Sequence, residues 1–257
     1  MNKEEMIRLF NKEQRIENNT PGMRREKAGP VIREVSLTGE DGFIIYSNLM
    51  GVNVGDVIQE QVAYFRELGQ RFEWKVYDYD QPVDLKERLH AQGFEIGEPE
   101  ALMMMQLNEE NPLLTRAIPA NIREITDAAG IGDIIVLEEA IWGEPHGDLG
   151  LRLKRDLNND PEHLKIYACY ADGKVVSAAW MYMHEGTSFG SLWGGSTLLD
   201  YRGQGIYTSL IAIRAQAAWH RGYRCLVVDA SPMSRPILES KGFEFLAYSY
   251  PCMSPEA

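Results

Sequence analysis

Cysteine is scarce in this chain of 257 residues: Cys169, Cys225 and Cys252 are odd in number, far apart and form no CxxC pair. That spacing gives neither a disulfide framework nor a zinc site, so no metal is expected and a reducing compartment, the cytoplasm, is the expected location. Long apolar runs are missing too. No stretch approaches the ~18 consecutive apolar residues that a membrane span requires. Met1 to Arg15 mixes Lys, Glu, Asn and Arg with Met6, Ile7, Leu9 and Phe10, without the continuous apolar core of a targeting segment. Positive charge is in deficit, with 26 Lys and Arg against 38 Asp and Glu and a net charge of −12. Such a chain has no bulk attraction for nucleic acid or an anionic membrane, so neither is an expected partner. A cationic or amine-bearing partner suits the charge, although an acidic surface also serves solubility alone.

What is present reads as globular. Hydrophobic residues make up 44% and charged residues 25%, and the length suits one large or two ordinary domains. The first 40 residues are polar and poorly periodic. Gly42 to Leu49 then reads as a strand. Val54, Val57, Ile58, Gln61, Val62, Phe65 and Leu68 recur at helical spacing up to Gly69. Strands are expected over Phe72–Tyr79 and Ala101–Leu107, with a short helix over Val83–Ala91 between them. Glu109-Glu110-Asn111-Pro112 marks the expected boundary between a domain at 1–112 and another at 113–257.

Beyond it the order restarts. Arg116–Ile118 is a candidate strand, Asn121–Ile141 an interrupted helix, Trp142–Gly147 a loop and Leu149–Leu157 a second helix. Three antiparallel strands follow, Leu164–Tyr170, Val175–Met183 and Thr187–Leu198, the first two joined by the turn pair Asp172-Gly173. Cys225–Val228 reads as a buried strand and Phe243–Met253 as the last one. The expected fold is α/β (α+β), a mixed and mostly antiparallel sheet flanked by helices. Leu89 to Glu95 also matches Leu238 to Glu244 in Leu, Gly, Phe and Glu. The match reads either as a duplication of two related halves or as a generic helix stop with a hydrophobic contact.

The most informative segment is Thr197-Leu198-Leu199-Asp200-Tyr201-Arg202-Gly203-Gln204-Gly205-Ile206-Tyr207. A strand feeds a Gly-containing loop that opens a helix, whose Ile206, Leu210, Ile213 and Ala217 form one apolar stripe. The first turn of a helix has unpaired N–H groups and partial positive charge, and glycine lets the backbone approach an anion closely. A pyrophosphate is therefore expected on the amides of Gln204 to Thr208, with Arg202 adding charge. Ile206-Tyr207 stands where a nucleotide-phosphate loop would carry Lys-Ser/Thr.

Arg202 and Gly205 resemble the Arg/Gln-x-x-Gly-x-Gly/Ala motif of the GNAT N-acetyltransferase superfamily. Thr197–Leu199 match the end of its fourth strand, Leu226–Asp229 its fifth, and Ile237–Phe243 its helix ending in Gly-Phe. The resemblance covers residues 113–257. It implies acetyl-CoA as co-substrate and transfer of its acetyl group to a primary amine, by direct attack in a ternary complex. It also implies that Thr197, Leu198, Leu199, Arg202, Gly203, Gln204, Gly205, Ile206, Tyr207 and Thr208 contact the cofactor, with Ser231, Ser234 and Arg235 on its arm. The pantetheine would run between Ser196–Leu199 and Leu226–Ser231.

The sequence departs from that pattern in places. Tyr207 replaces a small residue, and Leu238 stands where the family often has a Tyr acid. The fourth strand carries no carboxylate, so Glu144 and His146, in the loop after the first helix, are the candidate catalytic residues. Glu138 and Glu139 are expected on a helix's wet face, and Asp229 as a turn cap. The N-terminal half is read as a degenerate GNAT-like domain, because Gly51-Val52-Asn53-Val54-Gly55 lacks both the Arg and the spacing. The acceptor is a small-molecule or peptide amine, and the assembly a monomer with an internal pseudo-dimer or a homodimer. The competing reading is a CoA-binding sensor or interaction module without catalysis.

Overall fold

The computed structural model describes residues 1–256. In chain order, α1 (Lys3–Phe10) runs into a π-helical turn (Asn11–Glu17), followed by β1 (Met23–Ala28), β2 (Val31–Ser36) and β3 (Gly42–Ser47). Next come α2 (Val54–Glu67), β4 (Phe72–Tyr77), α3 (Leu85–Ala91), β5 (Glu95–Ile96), β6 (Glu100–Gln106) and α4 (Pro112–Thr115). They lead to β7 (Ile122–Ile125), α5 (Ala128–Trp142), α6 (Gly147–Asn159), β8 (Leu164–Ala171), β9 (Lys174–Met183) and β10 (Phe189–Thr197). The chain ends with α7 (Ile206–His220), β11 (Cys225–Ala230), α8 (Arg235–Glu239) and β12 (Glu244–Met253). This is the mixed, mostly antiparallel α/β architecture that the sequence implies.

Two compact units result: Met1–Met104 with Asp229–Ala257, and Met105–Val228. The expected linear division at 112/113 lies beyond the break between Met104 and Met105, and it differs from the units again at the C-terminus. The cause is β12, which pairs antiparallel with β4 from Ser249↔Tyr77 to Met253↔Glu73 and with β6 from Glu244↔Met104 to Ser249↔Glu100. The last strand thus completes the unit that the first strands begin.

Within the first unit, β1, β2 and β3 form an antiparallel meander, and β4 joins β3 in parallel after the α2 crossover. Ile44, Ile58, Phe65, Phe72 and Trp74 fill its core. The polar first 40 residues are more structured than their pattern suggests. Asn2 and Glu5 make a capping box for α1, and the buried Arg15 pairs with Asp80 at 2.8 Å beside the Tyr77 ring. A buried ion pair of this kind leaves no hydrophobic periodicity to read.

The Leu–Gly–Phe repeat has one geometry in both copies. Phe94 N donates to Leu89 O and Phe243 N donates to Leu238 O, each at 3.1 Å, with Gly93 at φ 88° and Gly242 at φ 95°. Leu89, Phe94, Leu238 and Phe243 are all buried. These are Schellman closures with their hydrophobic contact.

In the second unit β7, β8, β9 and β10 are antiparallel neighbours. Asp172 (φ 49°) and Gly173 (φ 77°) make the β8–β9 turn, where both residues need a left-handed backbone. The candidate strand at Arg116–Ile118 is not a strand, and the helix expected from Asn121 begins at Ala128. Asp127 sets that start, its side chain accepting from Gly130 N at 2.8 Å. Gln216 of α7 donates to the carbonyls of Leu113 (2.9 Å) and Arg116 (2.8 Å), which holds the α4 segment on α7.

Candidate active site

The second unit presents an opened strand beside a helix N-terminus. β10 pairs with β9 from Gly190↔Met183 to Thr197↔Ser177, with a bulge between Gly194 and Ser196. Its parallel pairing with β11 covers only Phe189↔Cys225 to Ser191↔Val227. From Leu192 to Thr197, β10 therefore runs on without β11 along that edge. Unpaired edges offer backbone N–H and C=O groups to an added strand or an extended amide-bearing ligand.

Two aromatic rings fix the bulge. A Cβ on Gly194 would lie 2.5 Å from the Trp180 ring, and one on Gly195 would lie 2.6 Å from the Tyr207 ring. No side chain larger than glycine's fits either position without displacing an aromatic. Tyr207, the departure from the small residue of the motif, thus packs its ring on the bulge, and this burial pushes its phenol pKa up. Arg214 of α7 holds the same place from below. It is buried, and its guanidinium donates to the carbonyls of Leu210 (2.9 Å), Trp180 (3.1 Å) and Trp193 (3.2 Å). Burial, only partly offset by Tyr207 and Tyr167, pushes its pKa down to about 10.

The loop itself follows. Leu199–Tyr201 form a single 3-10 turn, and Arg202, Gly203, Gln204 and Gly205 are exposed. Gly205 is the N-cap of α7 at φ 78°, and no side chain caps this helix. Its first-turn N–H groups thus lack a side-chain acceptor among the described residues. A Cβ on Gly203 would meet nothing within 4 Å. The residues present therefore suit a diphosphate: open space, unsatisfied donors, no carboxylate in the first turn of α7, and cations at hand. Arg202 Nε donates to the Thr197 carbonyl at 3.0 Å, which ties the loop to the end of β10. The stripe of Ile206, Leu210, Ile213 and Ala217 packs against β8 and β9 residues, Tyr167 and Ala179 among them.

Sequence reasoning missed a second cation. Arg116 Nε donates to Ser209 Oγ at 3.4 Å, and its Nη2 lies 3.6 Å from where a Gly205 Cβ would sit. The carbonyl contact from Gln216 places it there, and no local pattern around Arg116 signals a contact with a residue about ninety positions later.

Glu144 and His146 lie in the loop after α5, where His146 Nδ1–H donates to the Glu144 carbonyl at 2.9 Å and His146 N donates to Glu139 Oε1 at 3.2 Å. Their hydrogen bonds stay within that loop and the end of α5. Glu138 is not on a wet face: it is 3% exposed, and its Oε2 accepts from Ser196 Oγ (2.7 Å) and Trp142 Nε1 (2.9 Å). The helical spacing was visible, but not that β10 bulges beneath that turn of α5.

Ser231, Ser234 and Arg235 belong to the first unit. Ser231 and Ser234 bond each other at 3.2 Å, and Arg235 is engaged by Glu239 and by Tyr248 Oη, both at 2.8 Å. Asp229, expected as a turn cap, instead pairs with Lys75 at 3.1 Å and accepts from Ser249 Oγ at 3.1 Å. Leu238 is fully buried. All three cysteines are buried, and burial pushes the Cys252 thiol up to about 12. Among the described residues no cluster of three His, Cys, Asp or Glu is arranged for a metal, and no helix is long and apolar enough to cross a membrane.

No curated protein matches the sequence. The chain superposes on a GCN5-related N-acetyltransferase from Kribbella flavida with a TM-score of 0.64 at 16% identity, covering 92% of this chain and 91% of that one. A putative GNAT-family acetyltransferase from Novosphingobium aromaticivorans gives a TM-score of 0.57 at 16% identity, covering 91% and 92%. A tandem GNAT protein from the clavulanic acid biosynthesis pathway gives 0.58 at 13% identity, covering 93% and 85%. At these identities the likeness is one of fold, and it extends over nearly the whole chain. The sequence model of the acetyltransferase (GNAT) family matches residues 131–243, which include α5, the bulged strand, the loop and α7. Residues 131–243 thus form a segment that matches the GNAT acetyltransferase family, within a chain whose fold is GNAT-like.

Proposed function

We propose that the chain is an N-acetyltransferase that moves the acetyl group of acetyl-CoA to a primary amine on a small molecule or peptide. The observation that carries this reading is the uncapped start of α7 behind an exposed Gly203–Gly205 loop. There the diphosphate rests on the amides of Gln204 to Thr208, with Arg202 and Arg116 supplying charge. The pantetheine amides extend along the unpaired edge of β10 past Ser191, toward Thr197, Leu198 and Leu199. An N–H of that stretch polarises the thioester carbonyl. Ser231, Ser234 and Arg235 are assigned to the cofactor arm on the family resemblance alone. The N-terminal half is read as a GNAT-like domain without its own diphosphate loop.

An amine of pKa ~10 is almost wholly protonated at neutral pH and must lose a proton before attack. The CoA thiolate, of thiol pKa ~8.5, leaves without a dedicated acid, which accommodates the buried Leu238 in the place of a Tyr. The second reading, a CoA-binding sensor, draws on that same Leu238 and on the lack of a carboxylate in β10. Thiol release from acetyl-CoA with a panel of primary amines separates the two. Amine-dependent thiol release is the expected outcome. Measurable CoA binding with no turnover for any amine assigns the sensor role instead.

A further inference from the structure

A buried carboxylate normally finds a cation or several donors. Glu138 has neither in full. Both of its donors, the Ser196 hydroxyl and the Trp142 indole, converge on Oε2, while Oε1 is buried and without a partner, and no Lys, Arg or His pairs with it among the described residues. Such an arrangement leaves Oε1 with open lone pairs, while Oε2 is already aligned to the Ser196 hydroxyl. Its link to the surface is Ser196, half-buried on β10 directly after the bulge and on the stretch that β11 does not pair. At 2.7 Å the Ser196 proton already points at the carboxylate, so the hydroxyl oxygen faces an incoming donor with its lone pairs.

We propose that Ser196 and Glu138 form a two-step proton relay for the acceptor amine. The proposal rests on the N-acetyltransferase reading above, and it replaces Glu144 and His146 as the base. The acceptor ammonium gives one proton to Ser196 Oγ as the hydroxyl passes its own to Glu138 Oε2. The freed nitrogen pair then attacks the thioester carbonyl, so that a C–N bond forms and the C–S bond breaks with its electron pair on sulfur. The second nitrogen proton neutralises the thiolate, and Glu138 returns its proton to solvent through Ser196. Trp142, 62% exposed, shields the carboxylate and fixes its rotamer through the indole N–H. Ser196 is the catalytic residue of the pair, and Glu138 acts through it as the proton sink.

The test uses the full chain and acetyl-CoA with a panel of n-butylamine, spermidine and glucosamine, followed by thiol release. Ser196→Ala and Glu138→Gln should each lower kcat by about 100-fold, the usual size of a general-base contribution. Acetyl-CoA affinity by calorimetry should stay within about twofold of wild type, because the cofactor arm pairs with the backbone of this stretch of β10 and not with the Ser196 or Glu138 side chain. Ser196→Thr keeps a hydroxyl and should retain most of the rate. The double variant should lose no more than either single one, since the two side chains work as a unit. In mixtures of light and heavy water the wild-type kcat should bow with deuterium fraction, and in Ser196→Ala it should run straight. A Ser196→Ala rate equal to wild type, or single losses that multiply in the double variant, overturns the relay while amine acetylation stands. A wild type that binds acetyl-CoA yet releases no thiol with any amine overturns the acetyltransferase reading, and the relay with it.

Discussion

Each compact unit contains a strand, a glycine-bearing loop, a helix and a second strand parallel to the first. In one unit these are β3, α2 and β4, and in the other β10, α7 and β11. The difference lies at the helix start. Asn53 caps α2, its side chain accepting from Gly55 N at 3.1 Å, and Asp56 adds negative charge to the first turn. α7 starts from Gly205 with no side-chain cap, no acid in its first turn and Arg202 close by in sequence. One helix pairs a first-turn donor with its own cap side chain, while the other has no such cap. A cap contributes about 1 kcal/mol to a helix. Its absence from α7, in a loop otherwise well tied to β10 by Arg202, is a stability term forgone at a site that an anion would fill.

The comparison breaks most sharply at Gly205. At φ 78° the position is left-handed, and a side chain there would stand beside the Arg116 guanidinium and over the first-turn amides. Gly205→Glu should lower CoA affinity by at least ~100-fold, because a carboxylate would both compete for the donors and repel the diphosphate. Circular dichroism should show the fold retained. Unchanged affinity by calorimetry would remove the diphosphate from this loop. Arg202→Ala should cost roughly 5- to 10-fold in CoA affinity, the scale of one charge-assisted hydrogen bond near solvent. Arg116→Ala should cost less, about threefold, since exposed charge pairs contribute under ~1 kcal/mol. Both losses should shrink as salt is raised. A loss that is independent of salt would make the two arginines packing residues instead.

How much was legible follows from what each feature depends on. The loop, the α7 stripe and the Asp172-Gly173 turn are local, so spacing alone gave them. The Leu–Gly–Phe pair was visible for the same reason, and its identical closure in both copies fits a helix stop and a duplication alike. The features that stayed hidden are all set at long range. Arg116 reaches Ser209 because Gln216 grips its carbonyl. Glu138 is buried because β10 bulges beneath that turn of α5. The C-terminal strand inserts between β4 and β6, so a boundary drawn along the chain could not match the compact units. Glu138 shows the limit of periodicity most clearly, because its neighbour Glu139 faces solvent and nothing in the sequence separates the two.

The smallest effect on ligand binding should come from the capped helix, and it is informative for that reason. Asn53→Ala removes the acceptor for Gly55 N and leaves α2 with the same kind of open start that α7 has. If an uncapped start were enough to hold a diphosphate, the variant would gain a second CoA site. It should not, because Asp56 sits in the first turn of α2 and no arginine occupies the place of Arg202. The expected result is a stability loss of about 1 kcal/mol in urea unfolding, the usual cost of a lost Asn cap. CoA stoichiometry should stay at one per chain. A second equivalent of CoA bound by Asn53→Ala would mean that the cap alone distinguishes the two helices, and that the cations around Gly205 are dispensable.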